Sequence, residues 1–162
     1  MNKKIEELKT KARALHVPII TDDGLAFLLD LIKKKKAKRI LEIGAAVGYS
    51  TINMALLTEK IDTFERDPGM LEKLYDNISQ FDLKDKINVF PYDALDYEEK
   101  MDTYDLIFID AAKAQYQKFF LKYAKYLKKD GVIVCDNLNF HNLNPNEVSR
   151  QTRQLLRKIE SF

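Results

Sequence analysis

A chain of 162 residues, 46% apolar and 32% charged, has the length and make-up of one soluble globular domain with a core that needs no cross-links. Its single cysteine, Cys135, sits in an apolar run and excludes an intrachain disulfide, which fits a reducing, cytoplasmic setting. No apolar stretch approaches the roughly 18 residues of a membrane span, and the leading "MNKKIEELKTKAR" lacks the apolar centre of a secretory signal, so no membrane partner is expected. The net charge is only +2, yet basic residues bunch in "KKKKAKR" (33–39), "KYAKYLKK" (122–129) and "RQTRQLLRK" (150–158). Such runs are either solvated helix faces and C-termini, where lysine complements the dipole, or a surface that meets nucleic-acid phosphates.

Residues 2–14 and 22–35 have helical spacing, and "HVPIIT" between them favours an extended link, with Thr21 placed to cap the second helix. Strand and helix then alternate: strand 39–43, helix about 48–58, strand 61–65, helix about 68–80, strand 86–90, a short helical piece near 94–101, strand 105–110, helix about 115–128, strand 131–136 and a last helix about 146–160. Apolar, β-branched runs alternating with amphipathic helices imply a parallel sheet covered on both faces, a doubly wound α/β fold. No repeat, linker or shift in composition marks a second domain, so residues 1–162 are expected to form one unit, with helices over 1–36 and an α/β core over 37–162.

In such sheets ligands gather beyond the carboxyl ends of the strands, near the switch in strand order. Glu42, Glu65, Asp110 and Asp136 all fall at or near those ends and should converge on one crevice. The loop "LEIGAAVGYST" (41–51) opens a helix, and in it Gly44 permits a tight turn, Gly48 allows close backbone approach and Ser50 offers a hydroxyl, although packing alone also places glycines there. Glu65 follows Gly44 by 21 positions, the separation at which an acid reaches ribose hydroxyls in nucleotide-binding folds. Ala46 stands where G-x-G-x-x-G needs its second glycine, which disfavours a dinucleotide site and hydride transfer.

Five motifs occur in order over about 120 residues: "LEIGAAVGYST", "FERD" (64–67), "YDAL" (92–95), "FIDAAK" (108–113) and, in "VIVCDN" (132–137), a final Asp-Asn pair. Jointly they resemble the S-adenosylmethionine-dependent, cation-dependent O-methyltransferases related to catechol and caffeoyl-CoA O-methyltransferase. The resemblance implies a Rossmann-like class I methyltransferase fold, S-adenosylmethionine and Mg²⁺ or another divalent cation as cofactors, and a homodimer. Asp110, Asp136 and Asn137 would be oxygen ligands of the cation, as suits a hard ion. Strand-end aspartates also cap turns, and that plainer role stands beside this one. Lys113, one turn beyond Asp110, would act with it at the catalytic centre as a general base or by positioning the acceptor hydroxyl. By the same resemblance Glu65 would hold the cofactor ribose and Asp93–Ala94 would lie against adenine. Gly44, Ser50 and the segment from Val17 to Ile19 would surround the methionine part, and Glu42 would organise the glycine loop. His16 and His141 are expected to be structural, with His141 bordering the substrate.

Within the superfamily "VPIIT", "DAAKAQY" and "DNLNFH" are most similar to the bacterial branch that methylates 5-hydroxyuridine at the tRNA wobble position, so a tRNA anticodon region is the expected partner. A small-molecule, catechol-type O-methyltransferase is the alternative, and a non-catalytic nucleotide- or RNA-binding domain the second. The family continues past the helix after the fifth strand into two more strands, the last antiparallel, which this sequence, ending at Phe162, is expected to lack.

Overall fold

The computed structural model describes residues 2–136 except residue 112, and of residue 113 the backbone alone. Helix α1 (Asn2–Ala14) buries only Leu8 and Ala12 and closes with His16 in the left-handed region (φ 56). His16 is thus a turn residue. Helix α2 (Asp22–Lys35) begins where Thr21 Oγ1 accepts the Gly24 amide at 3.1 Å. It buries Leu25, Leu28 and Ile32 on one stripe, and its C-terminus carries Lys33, Lys34 and Lys35 against the helix dipole.

Strand β1 (Arg39–Ile43) leads through the glycine loop into α3 (Tyr49–Ala55), a short helix without charged residues. All seven of its residues are buried, because α3 lies under α1 and α2 and against the sheet. Strand β2 (Lys60–Phe64), helix α4 (Pro68–Gln80), strand β3 (Ile87–Phe90), strand β4 (Tyr104–Ile109), helix α5 (Tyr116–Tyr123) and strand β5 (Leu127–Cys135) follow. Asp67 caps α4, with Pro68 at its first position.

The five strands run in the order β3-β2-β1-β4-β5, every pairing parallel. Successive side chains point to opposite faces. Ile40, Ile61, Leu106 and Phe108 therefore pack with residues of α1 to α4 on one face. Leu41, Ile43, Ile107 and Ile109 pack with Phe119 and Tyr123 of α5 on the other. Strand order reverses between β1 and β4, which sets the ligand crevice there. At the opposite end Asp105 fixes the register, its Oδ2 accepting the backbone amides of Lys38 and Arg39 at 2.9 and 3.0 Å.

Two local expectations fail. No helix forms over 94–101, because two carbonyls that a helix would use are taken by side chains of α5: Tyr123 Oη donates to Ala94 O at 2.5 Å and Lys122 Nζ to Leu95 O at 2.7 Å. What remains is a turn in which Asp93 O accepts from Asp96 and Tyr97. The helix expected over 115–128 also stops early. It tightens to a 3-10 turn over Ala124–Tyr126, and Leu127 turns extended to pair with Tyr104. An irregularity in the β4–β5 register follows, with Asp130 in the left-handed region (φ 68). The last helix, expected over 146–160, lies outside the described residues. None of the described helices is long and apolar enough to cross a membrane.

Candidate active site

The hydrogen-bond ladder runs one residue beyond four of the strands and lines the expected residues along their carboxyl ends. Glu65 N donates to Phe90 O, Gly44 N to Phe64 O, Asp110 N to Ile43 O and Asp136 N to Ile109 O, all between 2.9 and 3.2 Å. Glu65, Gly44, Asp110 and Asp136 thus stand in a row across β2, β1, β4 and β5, with Gly44 and Asp110 at the switch point. Since Ile109 pairs with Cys135, Asp110 and Asp136 are the next pair along, on adjacent parallel strands about 4.8 Å apart.

Glu42 does not reach that crest. Its side chain is fully buried on the α3 face, where Ser50 Oγ donates to Oε2 at 2.6 Å and Thr51 Oγ1 and Thr63 Oγ1 both donate to Oε1. Burial pushes its carboxyl above the usual range, and the three hydroxyls oppose that. Glu42 therefore ties the start of α3 and β2 to β1, its carboxyl engaged by these hydroxyls. Thr51 and Thr63 escaped the sequence reading. Thr63 could have been found only from the sheet register, which pairs it with Glu42.

Glu65 bridges the loop and its own turn: Oε1 accepts the Ala46 amide at 2.7 Å, and Oε2 accepts the amides of Arg66 and Asp67 at 3.0 Å. Ala46 is held at φ 50, and Gly44 and Gly48 at φ 101 and 97. A small recess between the N-terminal segment and this loop is bordered by Ile19, Ala46, Ser50 and Asp110. Ile19 opens onto it, whereas the Val17 side chain packs into the cluster of Ala12 and Val47. Beyond Glu65, Asp93 accepts from Arg66 Nη1 at 2.9 Å and from the Leu95 amide, and Ala94 is buried. This places the Asp93–Ala94 turn next to the Glu65 turn, through an Arg66 contact that sequence reasoning missed.

The Asp110 carboxyl is pushed up to about 7, first by burial and then by the charges of Asp136, Glu42 and Glu65. No salt bridge reaches it among the described residues. Nor do three His, Cys, Asp or Glu side chains there form a group that could hold a metal ion. The expected donor set is instead two aspartates and an amide, and Asn137 lies outside the described residues. Two adjacent carboxylates, one made to resist ionisation first by burial and then by the negative charges around it, fit a hard divalent cation. Lys113 begins a 3-10 turn, Lys113–Gln115, three residues past Asp110. Its side chain and all of His141 lie outside the described residues.

A family model described as O-methyltransferase matches residues 2–161. The chain is 29% identical to a caffeoyl-CoA O-methyltransferase of Populus kitakamiensis, over 98% of this chain and 72% of that protein. It is 36% identical to a catechol O-methyltransferase of Niastella koreensis, over 69% of this chain but only 54% of that protein, so it spans about half the length of this second relative. Among solved structures, the O-methyltransferase from Bacillus cereus in complex with SAH superposes with a TM-score of 0.78 at 27% identity, covering 99% of this chain and 80% of that one. The crest of strand ends is therefore carried on a class I methyltransferase sheet, and the chain belongs to the O-methyltransferase family.

Proposed function

We propose that this chain transfers a methyl group from S-adenosylmethionine to a hydroxyl of a small acceptor of the catechol or caffeoyl type, with a divalent cation held by Asp110, Asp136 and Asn137. The observation that carries it is the row of Glu65, Gly44, Asp110 and Asp136 across the switch point. The SAH bound to the Bacillus cereus relative supports the cofactor, and the names of both curated relatives support the acceptor class. They favour the small-molecule alternative over the tRNA expected from the short sequence words.

The cofactor supplies a sulfonium methyl group, and the cation lowers the pKa of an acceptor hydroxyl. Glu65 accepts hydrogen bonds from ribose hydroxyls, with Asp93 and Ala94 bordering the base. The methionine part lies along Gly44, Ala46 and Ser50, closed from above by Ile19. Asp110 and Asp136 would hold the cation, which would bind and orient the acceptor oxygens, and Lys113 takes or steers the acceptor proton. Alignment of the acceptor oxygen behind the methyl group accounts for much of the barrier reduction.

One observation keeps a tRNA acceptor as a second reading. Lys33, Lys34, Lys35 and Lys36 are all exposed at the end of α2. Their local setting also suits a plain helix terminus, with Lys34 Nζ 2.8 Å from Asp30 and Lys36 as a left-handed cap. Labelled S-adenosylmethionine, offered with Mg²⁺ to a catechol, to caffeoyl-CoA and to hydroxyuridine-containing tRNA, separates the readings. Label in the small molecules, lost with EDTA and restored by Mg²⁺, is the expected outcome. Label in tRNA alone, with binding that weakens in salt and loses that dependence when the four lysines become alanine, would establish the second reading. Full activity after exhaustive chelation would remove the cation from either.

A further inference from the structure

Of the buried side-chain polar atoms among the described residues, only Arg39 Nε and Tyr116 Oη lack a hydrogen-bond partner. Arg39 lies at the other end of the sheet, where its guanidinium already meets Asp102 and Asp62. Tyr116 is different. It is 6% exposed, and an unmet buried hydroxyl carries a desolvation cost that phenylalanine would avoid. The other tyrosines of this apolar cluster that are as deeply buried are satisfied: Tyr104 Oη donates to Asp62 and Tyr123 Oη to Ala94 O, each at 2.5 Å.

The surroundings of Tyr116 place it at the strand ends of the site. Tyr116 opens α5 six residues after Asp110 and packs in the cluster that holds Ile109 and Cys135, the residues immediately before Asp110 and Asp136. The Tyr116 hydroxyl is held above its ordinary pKa by burial first, then by the charges of Asp110, the Cys135 thiol and Asp136, while a loose hydrogen bond from the Ala111 amide to the phenol oxygen opposes the rise and leaves the phenol's own proton without an acceptor. The donor is therefore unspent, and it lies at the strand ends that carry Asp110 and Asp136.

We propose that Tyr116 is a positioning residue for the Asp110–Asp136 pair, its phenol donating a hydrogen bond to one of these carboxylates when a divalent cation is held there. The inference rests on the cation reading above. A ligating carboxylate needs an outer partner to fix its orientation, and removing such partners lowers metal affinity by about 10–100-fold.

The test is calorimetric titration of Mn²⁺ alone into the wild type, Tyr116→Phe and Tyr123→Phe, with thermal melts of each. Tyr116→Phe should melt at or above the wild-type temperature and bind Mn²⁺ about 10–100-fold more weakly, while Tyr123→Phe keeps wild-type affinity. Equal affinity in Tyr116→Phe overturns the proposal and leaves the cation site standing. An equal loss in Tyr123→Phe marks a general packing effect and overturns it too. A wild type that binds no Mn²⁺ removes the cation reading itself.

Discussion

Gly44→Ala is expected to unfold more easily than the wild type by about 3 kcal/mol or more and to lose cofactor binding. A Cβ added at Gly44 would lie 2.1 Å from the Asp110 carbonyl oxygen, with the residue at φ +101. Neither neighbour can yield as a rotamer would, since Gly44 N is bonded to Phe64 O and Asp110 N to Ile43 O. Relief requires β1 and β4 to separate at the switch point, where the site is built. Gly48→Ala is the matched control. Its φ of +97 imposes similar backbone strain, but its close neighbour is Leu74 Cδ1 at 2.7 Å, the end of a flexible side chain. It should cost only about 1–2 kcal/mol. Urea unfolding of both variants checks the order, and equal losses would show that backbone strain rather than the Asp110 contact governs the loop.

Asp110→Asn should separate stability from activity. In the fold this carboxyl is pushed up to about 7, against an unfolded value near 3.9. Its native form binds the extra proton, so its stabilising contribution is fully present below the unfolded pKa, near pH 4, and is lost as pH rises through about 7. At pH 8 without divalent cation the wild type carries a buried, uncompensated charge that costs on the order of a few kcal/mol, and asparagine removes it. The variant should therefore be the more stable protein at pH 8 in EDTA, with a smaller advantage near pH 5. Mg²⁺ should raise the melting temperature of the wild type but not of the variant. On the proposed reading of Asp110 as a direct cation ligand, methyl transfer should fall by more than about 100-fold, beyond the 10–100-fold that loss of outer partners costs. A variant less stable than the wild type at pH 8 in EDTA would contradict the account of Asp110.

Much of this site is legible in the sequence because β2, β4 and β5 each end where an apolar run meets a carboxylate, and a parallel sheet sets those ends side by side. Glu65, Asp110 and Asp136 could be placed that way. Thr63 and Glu42 could not be joined, because their contact depends on register between strands 21 residues apart. Tyr116 stood in the quoted word "DAAKAQY", but only the fold shows its hydroxyl to be unmet. The stretch 94–101 misled because its local pattern suits a helix, while Tyr123 and Lys122, far along the chain, take the carbonyls a helix needs. The acceptor was least legible of all, since words such as "DNLNFH" report kinship rather than the chemistry of a pocket.

The central claim, that the crest beyond β1 and β2 holds a nucleoside through Glu65, is tested most directly by calorimetric titration of SAH into the wild type and Glu65→Ala, with circular dichroism and melting curves to show that both are folded. The wild type should bind SAH and the variant should lose about 1–3 kcal/mol of that affinity, the scale for hydrogen bonds to a charged group. Equal affinity in two folded proteins would contradict it.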